Sequence, residues 1–317
     1  MRVFITGIAG VLGSNLAMSL IEQGYLVSGN DVCRKEEAWR LSEIIDRITY
    51  YWKATEDLLR EEINSDVIID AGLGVADRPL GNLSPEYTVK NNIFPALKLL
   101  ELCRRMKKPP ILVYASSFNS LYGKVNTTYT ERTPVAPASV YGWTKGAVEE
   151  LYLTYYRAFN IPVVITRVGS AYGPKMRSDE LIAKVILYAF KDRVFKLRSP
   201  KAKRLWTYAK DVSTFYLKML EGIEDCIGET LICAGNRGDK IVTNIELLKI
   251  IGKVIGKKIE FVEEEYEPGE LINGKPISFR VNAEYSRNKL EWYPFYTLEK
   301  GIKETAVWFE ENIWRYT

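Results

Sequence analysis

The chain has 317 residues, enough for one large or two modest units with a well-buried core. Hydrophobic residues at 47% and charged residues at 26% exclude a disordered chain. A balance of 44 basic to 40 acidic residues leaves a net charge of +4, too small and mixed to point to nucleic acid by itself. Histidine is absent, which excludes Ser-His-Asp and Cys-His triads, His-ligated zinc or iron, and imidazole acid–base chemistry. Proton transfer must come from Tyr, Lys, Asp, Glu or Cys.

Residues 2–6 are a short β-branched and aromatic run that predicts a strand. Gly7, Gly10 and Gly13 follow at G-x-x-G-x-x-G spacing, and an apolar helix pattern then runs to Gln23. These glycines argue against reading the apolar start as a signal peptide. Between a strand and a helix they permit a tight turn. They also let backbone N–H groups approach a pyrophosphate, with Val11 and Leu12 at the helix's positive end. Residues 26–30 read as a second strand leading to Asp31. An acid there accepts hydrogen bonds from the 2′- and 3′-hydroxyls of a ribose and repels a 2′-phosphate. NAD is therefore favoured over NADP, with nearby Arg34 pulling the other way.

Residues 66–70 (DVIID) form a continuous apolar run closed by carboxylates. A long helix is predicted over 85–106, with Pro95 a potential kink, then a strand at 111–115, a helix at 139–159 and a strand at 163–166. Continuous apolar strands, each followed by a helix, predict a Rossmann-type, doubly wound parallel α/β sheet covered on both faces. After about Pro174 the rhythm loosens. Segments 198–204 and 263–278 read as loops, and 243–255 and 298–312 as helices.

The expected division is a dinucleotide-binding unit, 1–174 with later crossover segments near 205–236, and a smaller α/β substrate-binding unit, 175–317. Cys33, Cys103, Cys226 and Cys233 make no C-x-x-C pair, so reduced thiols in a cytoplasmic protein and no metal site are expected. No apolar run is long enough to predict a membrane span. The abundance of Lys, Glu, Ile and Tyr leans toward a thermophile.

Tyr141 and Lys145 form Y-x-x-x-K. At i and i+4 they share a helix face, where the ammonium lowers the phenol's pKa and makes a phenolate base accessible. The same lysine suits a nicotinamide ribose. Tyr285 with Lys289 and Tyr296 with Lys300 repeat the spacing, but nothing near them suggests chemistry. Tyr141 differs because it follows a strand, a Ser-Ser pair and a loop, where the sheet's C-terminal edge holds a substrate.

Taken in order, these motifs resemble extended short-chain dehydrogenases/reductases of the nucleotide-sugar epimerase/dehydratase type, nearest in pattern to UDP-galactose 4-epimerases. The resemblance runs through TGIAGVLGSNL, Asp31, YTVKNNIFPALKLLE around Asn92, YASSFNSLYG, P-x-S-x-YGWTKGAVEE, RVGSAYGP and R-x-W-x-Y-x-x-DV at 204–212. It ends in NKLEWYP, LEKGI and WFEEN. It implies that Tyr141 takes a proton from a sugar hydroxyl while hydride passes to NAD, with Lys145 tuning the phenol. It further implies that Ala71, Gly72, Asn92 and Ser116 line the cofactor site. Ser170, Arg204 and Lys275 would meet a nucleotide sugar, UDP-linked in the favoured case. A homodimer through paired helices is implied too, with Leu151, Tyr152, Tyr155 and Tyr156 on that face.

Departures from the pattern are specific. Phe118 stands where the family places a catalytic Ser or Thr, four residues before Tyr122-Gly123. Ser116, Ser117, Asn119 and Ser120 surround it, and Ser117 is the replacement hydroxyl expected if the loop shifts. Otherwise a phenyl ring projects toward the sugar. Asp70 replaces the family's histidine, Ala54 an aspartate held against adenine, and Ser170 an asparagine near the nucleotide. The readings weighed are an epimerase, a dehydratase, an oxidoreductase for another alcohol, and a non-catalytic NAD-binding protein.

Overall fold

Residues Arg2–Thr6 (β1), Leu26–Asp31 (β2), Thr49–Trp52 (β3), Val67–Asp70 (β4) and Ile111–Ser117 (β5) join Val163–Val168 and Thr230–Cys233 in one seven-stranded sheet. Every pairing in it is parallel. The computed structural model describes residues 1–72, 84–121, 123, 127–264, 271–272, 275–276 and 278–316. From β1 the strand order runs to β2 and β3 on one side, and to β4, β5 and the two later strands on the other. The reversal between β1 and β4 opens a crevice at their C-terminal ends, where doubly wound sheets bind ligands.

Burial follows from sequence. All four residues of β4 and all six of Val163–Val168 are buried, as continuous apolar strands between two helical layers must be. One face packs Val3, Ile5 and Val113 against Leu16 and Leu20 of the helix Val11–Glu22 and Phe215 and Met219 of the helix Ala209–Glu221. The other packs Phe4, Ile68 and Leu112 against Leu99 of the helix Pro85–Arg104 and Val148 and Tyr152 of the helix Val140–Phe159. Pro95 is buried inside Pro85–Arg104 without ending it.

A second core joins the helices Leu181–Phe190, Asn244–Ile255 and Leu298–Glu311 through Ile186, Ile251 and Ile302. It includes Trp206 and Tyr208 of the strand Lys203–Tyr208, which lies between Ser170–Tyr172 and Ile241–Thr243 in a three-stranded sheet. Two loop expectations need correction. Segment 198–204 runs into a strand, because Leu205, Trp206 and Tyr208 make an otherwise apolar, wholly buried run with Thr207, and Leu271–Ile272 pairs with Lys275–Pro276 inside 263–278. Among the described residues no helix is long and apolar enough to cross a membrane, and all four cysteines are free thiols.

Two tethers hold distant segments together. Arg40 Nε donates to the Lys175 carbonyl at 2.8 Å, and Lys175 Nζ donates back to the Arg40 carbonyl at 3.0 Å. Trp39 stacks on Trp308, binding the segment after β2 to the second core. Deeper, Arg167 grips Glu149 through Nε and Nη2 (2.8 Å at the shortest) and donates to the carbonyls of Glu131 and Thr133. Both side chains are below 10% exposed. Removing one partner of a buried pair leaves the other charge uncompensated. Arg167→Met is expected to cost about 3–5 kcal/mol of unfolding free energy in urea titration, and a cost under about 1 kcal/mol would contradict this assignment.

Candidate active site

The glycine turn is built against β4. Gly7 sits at φ +63°, and a Cβ there would lie 2.5 Å from the Gly72 Cα. A Cβ on Gly13 would lie 2.4 Å from the Gly7 carbonyl oxygen, and one on Gly10 3.0 Å from it. Only glycine satisfies the first position without strain and the second without displacing backbone. Gly10 caps the helix Val11–Glu22 with no side-chain hydrogen bond, and the first turn carries no acid. The backbone N–H groups at that end, Val11 and Leu12 included, form a positive terminus suited to a phosphate.

Asp31 is braced beside the turn. Its carboxylate accepts from Ala9 N at 3.1 Å and from Cys33 N at 3.3 Å. Arg34 is drawn aside, its guanidinium 5.2 Å from the Trp52 ring centre. A backbone cradle closed to side chains, an uncapped helix start and an oriented carboxylate fit a dinucleotide.

Tyr141 lies in the first turn of Val140–Phe159, which is capped by Ser139 accepting from Gly142 N. One turn on, Lys145 is only 4% exposed. Its Nζ donates to the Ala115 carbonyl at 3.0 Å and lies 5.8 Å from the Tyr141 ring centre. Burial pushes Lys145 down to about 8, against the opposing fields of Asp70 and Glu149. Lys289 lies at a similar 5.9 Å from the ring of Tyr285, so spacing alone does not distinguish the pairs. Burial does, because Tyr285 is 45% exposed. Asn92, also buried, donates to Thr144 Oγ1 at 2.8 Å, and Thr144 donates to the Tyr141 carbonyl. It thus supports the helix turn that carries the pair.

The loop after β5 separates the candidate hydroxyls. Ser116 is buried and its hydroxyl donates to Glu149 at 2.5 Å. Ser120 is committed to the Ser117 carbonyl and Glu149. Ser117 is partly exposed and accepts from Asn119 N and Nδ2, which leaves its own hydrogen to donate. The expected phenyl ring projecting toward a sugar is corrected. Phe118 is 1% exposed and sits edge-on to Tyr129 and Phe279, each 5.8 Å away, where its ring escapes water. Tyr122 lies outside the described residues.

Asp70, at the end of β4, is legible in the sequence as the terminus of an apolar run and as a departure from the family's histidine, but its partners are not. Its carboxylate accepts from Thr6 Oγ1 at 2.6 Å and Tyr152 OH at 2.5 Å. Ala71 and Gly72 continue from it against the glycine turn, and Gly72 N donates to Thr6 Oγ1. Tyr152 and Tyr155, expected on a dimer face, are internal, and Tyr155 donates to Glu101.

Ser170 opens the strand Ser170–Tyr172 and pairs with Trp206, whose ring lies 5.8 Å from the Arg204 guanidinium. The Lys275 backbone pairs with Ile272, and its side chain lies outside the described residues. A cavity of about 670 Å³ between Glu131, Thr230 and Tyr285 contains none of these groups. Gly7→Ala is expected to weaken dinucleotide affinity at least about tenfold by calorimetry, since it adds both φ strain and a clash with Gly72. Unchanged affinity would contradict the cradle.

Comparison with known proteins agrees with this geometry. The model of the NAD dependent epimerase/dehydratase family matches residues 3–232. A dTDP-glucose 4,6-dehydratase of Neisseria gonorrhoeae is 25% identical, the match covering 98% of this chain and 96% of that one. A UDP-glucuronate 4-epimerase of Thermodesulfobacterium geofontis is 27% identical over the same shares. The structure of a Bacillus cereus UDP-glucuronic acid 4-epimerase, bound to UDP-glucuronic acid and NAD, superposes with a TM-score of 0.88 at 23% identity, covering 98% of this chain and all of that one. With its glycine cradle, Asp31, and Tyr141 over a buried Lys145, the chain belongs to the NAD dependent epimerase/dehydratase family of enzymes, and its cofactor is NAD.

Proposed function

We propose that the protein is a 4-epimerase of a nucleotide sugar, UDP-linked in the favoured case. The observation that carries this reading is Lys145, buried one helical turn beyond Tyr141 and anchored to the Ala115 carbonyl at the end of β5. NAD, when bound, would supply reversible hydride transfer at the sugar carbon. Gly7, Gly10, Gly13, Val11 and Leu12 would hold its pyrophosphate, Asp31 a ribose, and Ala71, Gly72, Asn92 and the Ser116 backbone would line its path. The first 174 residues, completed by segments near 205–236, carry these groups, and 175–317 take the substrate.

Tyr141, as phenolate, takes the proton of the reacting sugar hydroxyl, and Lys145 stabilises that phenolate. Ser117 donates a hydrogen bond to the same substrate oxygen and stabilises charge as it develops. Arg204 and Lys275 meet the diphosphate and Ser170 the nucleotide. Inward-turned Phe118 leaves room for Ser117 to act, which supports catalysis over a purely NAD-binding role.

A second reading, a 4,6-dehydratase, is favoured by the Neisseria relative. Incubation with UDP-glucose, UDP-galactose, UDP-glucuronate and dTDP-glucose separates the two. An epimerase gives a product of unchanged mass without accumulating NADH, and a dehydratase one lighter by a water. No turnover across such a panel would sink both.

The proposed cytoplasmic enzyme works as a homodimer through Pro85–Arg104 and Val140–Phe159, which leave Tyr87, Phe94 and Trp143 exposed. Phe94→Glu should convert it to monomers in light scattering, and a monomeric parent chain would remove this part of the reading. Tyr141→Phe is expected to lower kcat about 10²–10⁴-fold with NAD affinity little changed. Ser117→Ala should lower it about 10²–10³-fold. An unaltered kcat in either variant would remove that residue from the mechanism. The lysine is charged below its pKa, so kcat/KM should fall as pH rises through about 8. A flat alkaline profile would argue against the ammonium's part.

A further inference from the structure

We propose that Asp70 is a positioning residue whose buried carboxylate is the counter-charge keeping Lys145 an ammonium beside Tyr141. The proposal rests on the tyrosine–lysine reading above. Asp70 stands where the resembling family carries histidine, and it has no exposure to solvent. Both of its short bonds come from hydroxyl donors, Thr6 at 2.6 Å and Tyr152 at 2.5 Å. Thr6 Oγ1 itself accepts from Gly72 N, so its hydrogen goes to Asp70. Burial pushes the Asp70 carboxyl above the usual carboxylate range, and the two O–H donors and the Lys145 ammonium act against that burial to favour the ionised form.

The path from Asp70 to Lys145 is short and packed. Tyr152 lies against Tyr114, ring centres 5.1 Å apart, and Lys145 Nζ lies 5.2 Å from the Tyr114 ring centre. Asp70 and Tyr114 are register partners on β4 and β5, and Ala115, the next residue, accepts from Lys145.

Every charged or titratable group around the lysine has a defined role. From its own helix Lys145 faces Tyr141 and Glu149, from β5 Tyr114, and from β4 Asp70. Glu149 is paired with Arg167, and its field on Lys145 adds to that of Asp70. Asp70 faces Thr6 of β1, Tyr152 of the Val140–Phe159 helix and Cys103 of the Pro85–Arg104 helix. Burial, reinforced by Asp70, pushes Cys103 up to about 12 and Tyr114 and Tyr152 well above the usual tyrosine range, so these three stay neutral. Among the described residues Lys145 is the cation whose field reaches Asp70. Losing that carboxylate removes a field that opposes deprotonation of the lysine.

The test is the NAD dissociation constant, measured by calorimetry between about pH 6 and pH 10 without any sugar. The parent protein should bind more weakly as Lys145 loses its proton, and Lys145→Met should lack this limb. Asp70→Asn should move the limb down by about one pH unit, a tenfold change in proton affinity, and Asp70→Glu should restore part of it. A lowered melting temperature moves no limb, so a merely structural role predicts an unshifted profile.

If Asp70→Asn does not fold, Tyr152→Phe replaces it. Losing that donor weakens the carboxylate's ionised form, so the limb should move the same way by a smaller amount. An unmoved limb, or one that persists in Lys145→Met, overturns the proposal. A shifted limb in a protein that turns over no nucleotide sugar supports it and removes only the functional reading.

Discussion

A lysine ammonium taken out of water is the constraint on which the rest of the site depends. A buried charge is costly unless other groups replace its hydration. Lys145 recovers part of that cost from the Ala115 carbonyl and the fields of Asp70 and Glu149. Those groups belong to β5, β4 and its own helix, so satisfying the ammonium fixes that helix against the sheet. The loop above is pressed down just as tightly. A Cβ on Gly142 would meet the Asn119 carbonyl oxygen at 2.3 Å, and one on Gly146 would meet a Val135 methyl at 2.3 Å. Tyr141 is therefore placed by backbone contact on one side and by a charge on the other.

The same crevice joins the glycine turn to the proposed proton-transfer pair, Tyr141 and Lys145. Gly7 and Gly72 touch across the reversal point, and the Thr6 hydroxyl accepts from Gly72 while donating to Asp70. One side chain thus links the backbone that shapes the pyrophosphate turn to the carboxylate facing Lys145. Ser170 and Arg204, proposed to meet the substrate, stand apart on a three-stranded sheet packed in a second hydrophobic core. In the proposed reading, cofactor geometry is set in the central sheet and nucleotide recognition on the smaller one.

Much of this was legible in the sequence, and the remainder was hidden for physical reasons. The glycine spacing and Y-x-x-x-K are local, so neighbours in sequence are neighbours in space. β1, β4 and the Pro85–Arg104 helix were visible because continuous apolar runs or helical periodicity mark them. β3 was not, since TYYW is short and only half-buried at the sheet's edge. The strand at 203–208 was obscured by the basic residues that precede it. Phe118 was misjudged because its direction depends on a pocket made by Tyr129 and Phe279, far along the chain. The roles of Ser116 and Ser120 were likewise decided by Glu149, and that of Asp70 by Tyr152, contacts that only the assembled fold creates.

The last strand of the central sheet, Thr230–Cys233, pairs with Val163–Val168 only after some sixty intervening residues, many of them already committed to the second core. During synthesis the nucleotide-binding half therefore waits with an open β edge, a template for wrong pairing, until that detour is made. Its completion is tied to the growth of its neighbour. The two cores are thus not separable modules, and an exchange of the second core must carry this strand along with the sheet it closes.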